Sequence, residues 1–104
     1  MTLDGTNFQA EVLNSKGLTL VDFWAVWCGP CQVLGPIIEA IAEEIKDTVT
    51  VGKLNVDENP ELAAQYGVMS IPTVILFKDG QPVEQVVGVR AKQDYLELIE
   101  KHAG

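Results

Sequence analysis

Cysteine is scarce in this 104-residue chain, which has two. A chain of this length buries most of its apolar surface on folding, so it needs no disulfide framework. Basic residues are also few. Seven Lys and Arg stand against 15 Asp and Glu, a formal net charge of -8. Such a surface repels phosphate backbones and anionic lipid, so neither nucleic acid nor a membrane surface is an expected partner. No apolar run is long enough to span a bilayer. The opening Met1-Thr2-Leu3-Asp4-Gly5 lacks the basic n-region and apolar h-region of a secretory leader, and a cytoplasmic location is expected. Internal repeats, low-complexity tracts and linkers are missing too. The expectation is one domain over residues 1–104.

What is present is an alternation of apolar and polar segments. Thr6 or Asn7 is placed to cap a short helix ending at Leu13, with Phe8, Val12 and Leu13 on one side. Met1–Leu3 reads as a short edge strand. Leu18–Trp24 is a nearly continuous apolar run, the pattern of a strand covered on both faces. Leu34, Ile37, Ile38, Ile41 and Ile45 recur at helical spacing, with Glu39, Glu43 and Glu44 forming a solvated face and Pro36 predicting a kink. Thr48–Val56 reads as a strand. Asn59-Pro60 is a cap-then-first-turn start for a helix that stops at Gly67. Pro72–Lys78 and Val83–Gly88 flank Asp79-Gly80, a hairpin turn, with Pro82 suiting an outer strand. Lys92–His102 is a last helix with Tyr95, Leu96 and Ile99 inward. Strand–helix–strand units predict parallel pairing and right-handed crossovers, and the hairpin adds an antiparallel edge. The fold class is α/β: one mixed sheet, central parallel strands plus a C-terminal hairpin, with helices on both faces.

Both cysteines fall in Trp27-Cys28-Gly29-Pro30-Cys31, where the buried strand ends and the long helix begins. Two cysteines placed at random land three apart only about 2% of the time, and in a reducing compartment such a pair reads as catalytic or metal-binding. Residues three apart in a first helical turn lie about 5–6 Å from each other, so a disulfide there forms and breaks with little backbone movement. Pro30 fits the first helical position, and Gly29 leaves room beside the sulfur for an incoming disulfide. The helix N-terminus favours a thiolate. Cys28, at the open end, is the expected nucleophile. Cys31, one turn in and expected to be more buried, is the expected resolving thiol. A structural disulfide is disfavoured by compartment. A zinc site lacks ligands, since the chain adds only the distant His102, although a site shared between two subunits stays open. Haem attachment would need His after Cys31, where Gln32 stands.

The run Val21-Asp22-Phe23-Trp24-Ala25-Val26-Trp27-Cys28-Gly29-Pro30-Cys31 resembles the active-site segment of the thioredoxin family. Lys53-Leu54-Asn55-Val56-Asp57, Ile71-Pro72-Thr73 and the region of Gly88 match in order and spacing, so the resemblance covers nearly the whole chain. It implies a protein-disulfide reductase in which Cys28 attacks a client disulfide and Cys31 releases the reduced client. It also implies recharging by a thioredoxin reductase, no bound cofactor, and a monomer whose partners are that reductase and disulfide-bearing proteins. Gly29 and Pro30 would help set the redox potential. The chain departs from the usual pattern at Val26, at Gln32, which removes a positive charge beside Cys31, and at Gly35 inside the helix.

Asp22 is the next most informative residue. A carboxyl in a doubly covered strand has a raised pKa, and a proton acceptor for Cys31, directly or through a water, is the role the resemblance also implies. The alternative is an aspartate at a solvated strand end. Lys53, in an otherwise apolar strand, either offsets the rise at Asp22, beside which the resemblance places it, or is an edge lysine pointing at water. By resemblance Ile71-Pro72 is a cis bond that exposes backbone at Ile71 to an extended client segment. Trp27, Pro30, Ile71, Pro72, Val87 and Gly88 would form an apolar, backbone-rich docking surface around Cys28. Trp24 reads as core or as a shield behind the site, Met69 and Ser70 flank the loop, and His102 reads as a surface residue.

Overall fold

The structure is a computed structural model and describes residues 1–103. The strands are β1 (Thr2–Leu3), β2 (Leu18–Trp24), β3 (Val49–Asn55), β4 (Thr73–Lys78) and β5 (Gln81–Val87). The α-helices are α1 (Gly29–Ile45), α2 (Pro60–Gln65) and α3 (Lys92–His102), and a π-helical turn spans Gln9–Leu13. The five strands form one mixed sheet in the order β1-β3-β2-β4-β5. β3 pairs in parallel with both β1 and β2, while β4 is antiparallel to β2 and to β5.

The two faces follow from the two-residue period of the strands. On one face Leu18 and Leu20 of β2, Val49 of β3 and Val74 and Leu76 of β4 meet Leu34, Ile38 and Ile41 of α1 and Tyr95 and Ile99 of α3. On the other, Val21 and Phe23, Leu54, Ile75 and Phe77 meet Leu3, Phe8, Val12 and Ala63. Each fully buried Leu, Ile or Phe contributes about 1.5–3 kcal/mol relative to exposure, so α1 is held to the sheet chiefly by its apolar face. Phe8, Tyr66 and Phe77 form a three-ring cluster with centroids 5.3–6.0 Å apart.

Several sequence expectations need correction. The strand–helix–strand rule fails at β3–α2–β4, because β4 joins the far side of β2 antiparallel. The hairpin therefore brings an interior strand as well as an edge one. The N-terminal turn is π-helical and is opened by Asp4, not by Thr6 or Asn7. The Asp4 carboxylate accepts from the Thr6 N–H and hydroxyl, and Asn7 Oδ1 reaches back to the Asp4 N–H at 2.8 Å. Asn59 stands at the N-cap of α2 with Pro60 in the first turn, as expected, but its side chain makes no capping bond; its Oδ1 accepts from the Gly5 N–H and its Nδ2 donates to the Asn55 carbonyl. Pro36 lies inside α1, where the helical pattern places it, and leaves one ladder hydrogen bond unmade. His102 is half-buried rather than a plain surface residue, with Nε2 2.7 Å from Glu84 Oε2. No helix among the described residues is long and apolar enough to cross a membrane.

Candidate active site

The site lies where β2 runs out and α1 begins. Cys28 is the N-cap of α1 in an extended conformation, with Pro30 in the first turn. Its Sγ accepts the Cys31 N–H at 3.2 Å, an N-terminal donor that no intrahelical carbonyl can satisfy. The two sulfurs are joined as a disulfide across a Cα–Cα separation of 5.3 Å, which is within the ordinary range for such a bond. Ala25 and the two cysteines form a small buried cluster flanked by Trp24, Val56 and Ile71.

Burial does not separate the cysteines as expected, since Cys28 and Cys31 are each 4% exposed. What distinguishes them is position. Cys28 carries the sulfur at the cap, where donors and the positive end of the helix dipole converge, and its neighbours Val26, Trp27, Gly29 and Pro30 are exposed. Cys31 is followed into the helix by buried Leu34 and Gly35.

Asp22 is 1% exposed and stands on the α1-facing side of β2, in step with Leu18 and Leu20. It is not at a solvated strand end. Neither carboxylate oxygen has a hydrogen-bond partner in the structure. Burial pushes its pKa up from the ordinary 3.8 to about 6, against a smaller opposing pull from the Lys53 charge. Lys53 is the register partner of Asp22 on β3, which lies between β1 and β2, so it is not an edge lysine. Its ammonium sits 4.7 Å from the centroid of the Trp24 ring, a cation–π contact over the side chain that backs the cysteines.

Three backbone segments converge beside the disulfide. Trp27 is 71% exposed, and its Nε1 donates to Asp57 Oδ2 at 2.6 Å, which ties the cysteine loop to the end of β3. The Ile71–Pro72 peptide is cis. The Gly88 N–H donates to the Pro72 carbonyl at 2.8 Å, and Gly88 has φ +91, a left-handed conformation that suits glycine. Val87 is exposed and Ile71 half-buried against the cysteines. Gln32 fills its unusual place by donating from Nε2 to the Val26 carbonyl at 3.1 Å. Asp57 appears in the sequence motif, but its bond to Trp27 is a tertiary contact that no local pattern signals. The same holds for Tyr95, whose hydroxyl meets the loop after Gly88.

Among the described residues no three His, Cys, Asp or Glu side chains are grouped as metal donors. The two thiols are spent on each other, and His102 is engaged with Glu84. A helix-capping disulfide of four-residue span, backed by a buried carboxyl and ringed by exposed apolar and backbone groups, defines a thiol–disulfide oxidoreductase. Comparison with known proteins agrees. The family profile "Thioredoxin" matches residues 1–101. The chain is similar to Thioredoxin 2 of Chlorobaculum tepidum, 51% identical over 98 residues that cover 94% of this chain and 90% of the relative. It is also similar to the thioredoxin of Alicyclobacillus acidocaldarius, 56% identical over 93 residues and 89% and 88% of the two chains. A third relative, the thioredoxin of Staphylococcus aureus, is 54% identical over 96 residues, 92% and 90% of the two chains. The chain belongs to the thioredoxin family, and its activity is thiol–disulfide exchange that reduces protein disulfides.

Proposed function

We propose that Cys28 is the nucleophile, Cys31 the resolving thiol and Asp22 the proton acceptor of a reductase that acts on protein disulfides. The observation that carries this assignment is the Cys28 sulfur at the N-cap of α1, accepting the Cys31 N–H at 3.2 Å. That arrangement stabilises negative charge on Cys28 in the reduced protein.

The Cys28 thiolate attacks one sulfur of the client disulfide; a Cys28–client S–S bond forms and the other client sulfur leaves as a thiolate, which takes up a proton. Cys31 then loses its proton to the Asp22 carboxylate and attacks the Cys28 sulfur. The Cys28–Cys31 bond forms, the second client thiolate leaves and is protonated, and the client has gained two electrons and two protons. A carboxyl with a pKa near 6 is mostly ionised at neutral pH, and so available as a base, yet lies close enough to take up a proton. Lys53, opposite it, keeps that value from rising further.

Trp27, Pro30, Ile71, Val87 and Gly88 form the docking surface, where an extended client segment pairs with backbone at Ile71 and Gly88 and rests its apolar side chains on Trp27; Pro72, expected on that surface, is buried and lends it only the carbonyl that holds Gly88. Gly29 and Pro30 set the redox potential. The protein works as a monomer in the cytoplasm, as one domain over residues 1–104, and a thioredoxin reductase returns it to the dithiol form. No resident cofactor takes part, since the electrons are carried by the cysteines themselves.

The test is reduction of insulin by dithiothreitol in the presence of the protein. Cys28→Ser abolishes the acceleration, whereas a protein that only docks to its partners accelerates nothing in either form.

A further inference from the structure

Tyr95, in the first turn of α3, is the largest of the fully buried side chains and is 1% exposed. Its ring belongs to the core between the sheet, α1 and α3. A phenyl ring would fill that space equally well, so the hydroxyl calls for a separate explanation. A buried hydroxyl needs partners, and this one finds them in the loop joining β5 to α3. The Arg90 N–H donates to Tyr95 Oη at 3.1 Å, and Oη in turn faces the Gly88 carbonyl at a longer 3.4 Å. Gly88 lacks a side chain and has φ +91, so its own backbone conformation is weakly restricted. Its N–H holds the Pro72 carbonyl at 2.8 Å. The buried hydroxyl is thus linked by consecutive hydrogen bonds to the Ile71–Pro72 segment beside the cysteines.

We propose that Tyr95 is a positioning residue for client recognition: its hydroxyl fixes the Gly88–Arg90 loop, and through the Gly88–Pro72 hydrogen bond it fixes the backbone on which a client segment docks. The inference rests on the reading of Ile71 and Gly88 as docking backbone. A loop held before the client arrives needs no ordering when it binds, so the hydroxyl lowers the concentration at which client binding saturates. It has no contact with the sulfurs and leaves the exchange step itself unchanged.

The test is Tyr95→Phe, which keeps the ring and removes the hydroxyl. The dithiol form is mixed with excess oxidised insulin, and single-turnover oxidation is followed by tryptophan fluorescence over a range of insulin concentrations. A parallel series uses 2-hydroxyethyl disulfide, too small to pair along a backbone. In the variant the half-saturating insulin concentration rises about three- to tenfold, while the limiting rate and the rate with the small disulfide stay at parent values. A lowered thermal midpoint with unchanged half-saturation overturns the proposal, as does an equal loss with both disulfides. If the parent protein oxidises at a rate proportional to insulin with no saturation, the docking reading fails and the inference falls with it. Amide exchange gives a second measurement that needs no variant: the Arg90 N–H is protected in the parent, and exchange at the rate of an unfolded peptide overturns the proposal.

Discussion

Asp22 and Lys53 are register partners on neighbouring parallel strands, yet the two oxygens of Asp22 have no hydrogen-bond partner while the Lys53 ammonium lies 4.7 Å from the centre of the Trp24 ring. A buried carboxyl with only a through-space cation is a poor anion. That is why it titrates near 6 and not near 3.8. The same desolvation that makes Asp22 costly to the fold gives it the raised value on which its proposed role as proton acceptor rests.

The cost has a sign that can be measured. Between pH 3.8 and about 6 the folded chain keeps the Asp22 proton and the unfolded chain has lost it, so stability falls as pH rises through that window. Asp22→Asn removes the penalty. At pH 7 the variant is more stable by up to about 3 kcal/mol, and the gain shrinks to nothing below pH 4. Urea unfolding of both proteins from pH 4 to 8 checks this. In quenched-flow experiments the same variant slows resolution of the mixed disulfide more than its formation; equal effects on the two steps would remove Asp22 from proton transfer.

Three glycines separate backbone freedom from space. At Gly35 an added Cβ would have Lys53 Nζ at 3.7 Å, an ordinary contact, in a helix interior. Gly35→Ala therefore stabilises by about 0.5–1 kcal/mol. At Gly52 the Cβ would lie 2.5 Å from Leu3 Cδ1, so Gly52→Ala pushes β1 away and costs about 1–3 kcal/mol. Gly80 is worse, because its φ is +83 and the Cβ would meet the Leu13 carbonyl oxygen at 2.2 Å, backbone that cannot swing aside. Thermal melts of the three variants should rank in that order.

Much of this was readable in the residues because it is local. Apolar period and caps place β2, α1 and the hairpin, and the spacing of Cys28 and Cys31 with Pro30 places a reactive pair on a helix start. What the chain order alone does not carry is pairing at a distance. β3–α2–β4 looks like a parallel crossover, and only packing decides that β4 enters antiparallel beside β2. Asn59 has the chemistry of a cap but spends its side chain on Gly5 and Asn55. The equal burial of the cysteines arises because Trp24, Val56 and Ile71, from three separate segments, cover them together. The Trp27–Asp57 and Tyr95–Arg90 bonds likewise exist only once the sheet has formed.

Glu84 links the outer strand β5 to the end of α3, with Oε2 2.7 Å from His102 Nε2 and 3.1 Å from Lys101 Nζ. The hydrogen bond from His102, then that from Lys101, holds the carboxyl below its ordinary value of 4.5. A lowered value means that the contribution is present above pH 4.5 and is lost as pH falls through the folded value. Glu84→Gln should therefore speed amide exchange in the last turn of α3 at pH 7 and make no difference to it in acid below that value. Equal exchange in both proteins at pH 7 would show that the pairing does not hold the helix.

The most direct test of the central claim is to trap the intermediate. Cys31→Ser, reduced and mixed with a disulfide-bearing client, should accumulate a covalent complex joined through Cys28, identified by mass spectrometry of the linked peptides and released by dithiothreitol. Cys28→Ser under the same conditions should accumulate none. A complex that forms through Cys31 in the Cys28→Ser protein, with none from Cys31→Ser, would contradict the assignment of nucleophile and resolving thiol made here.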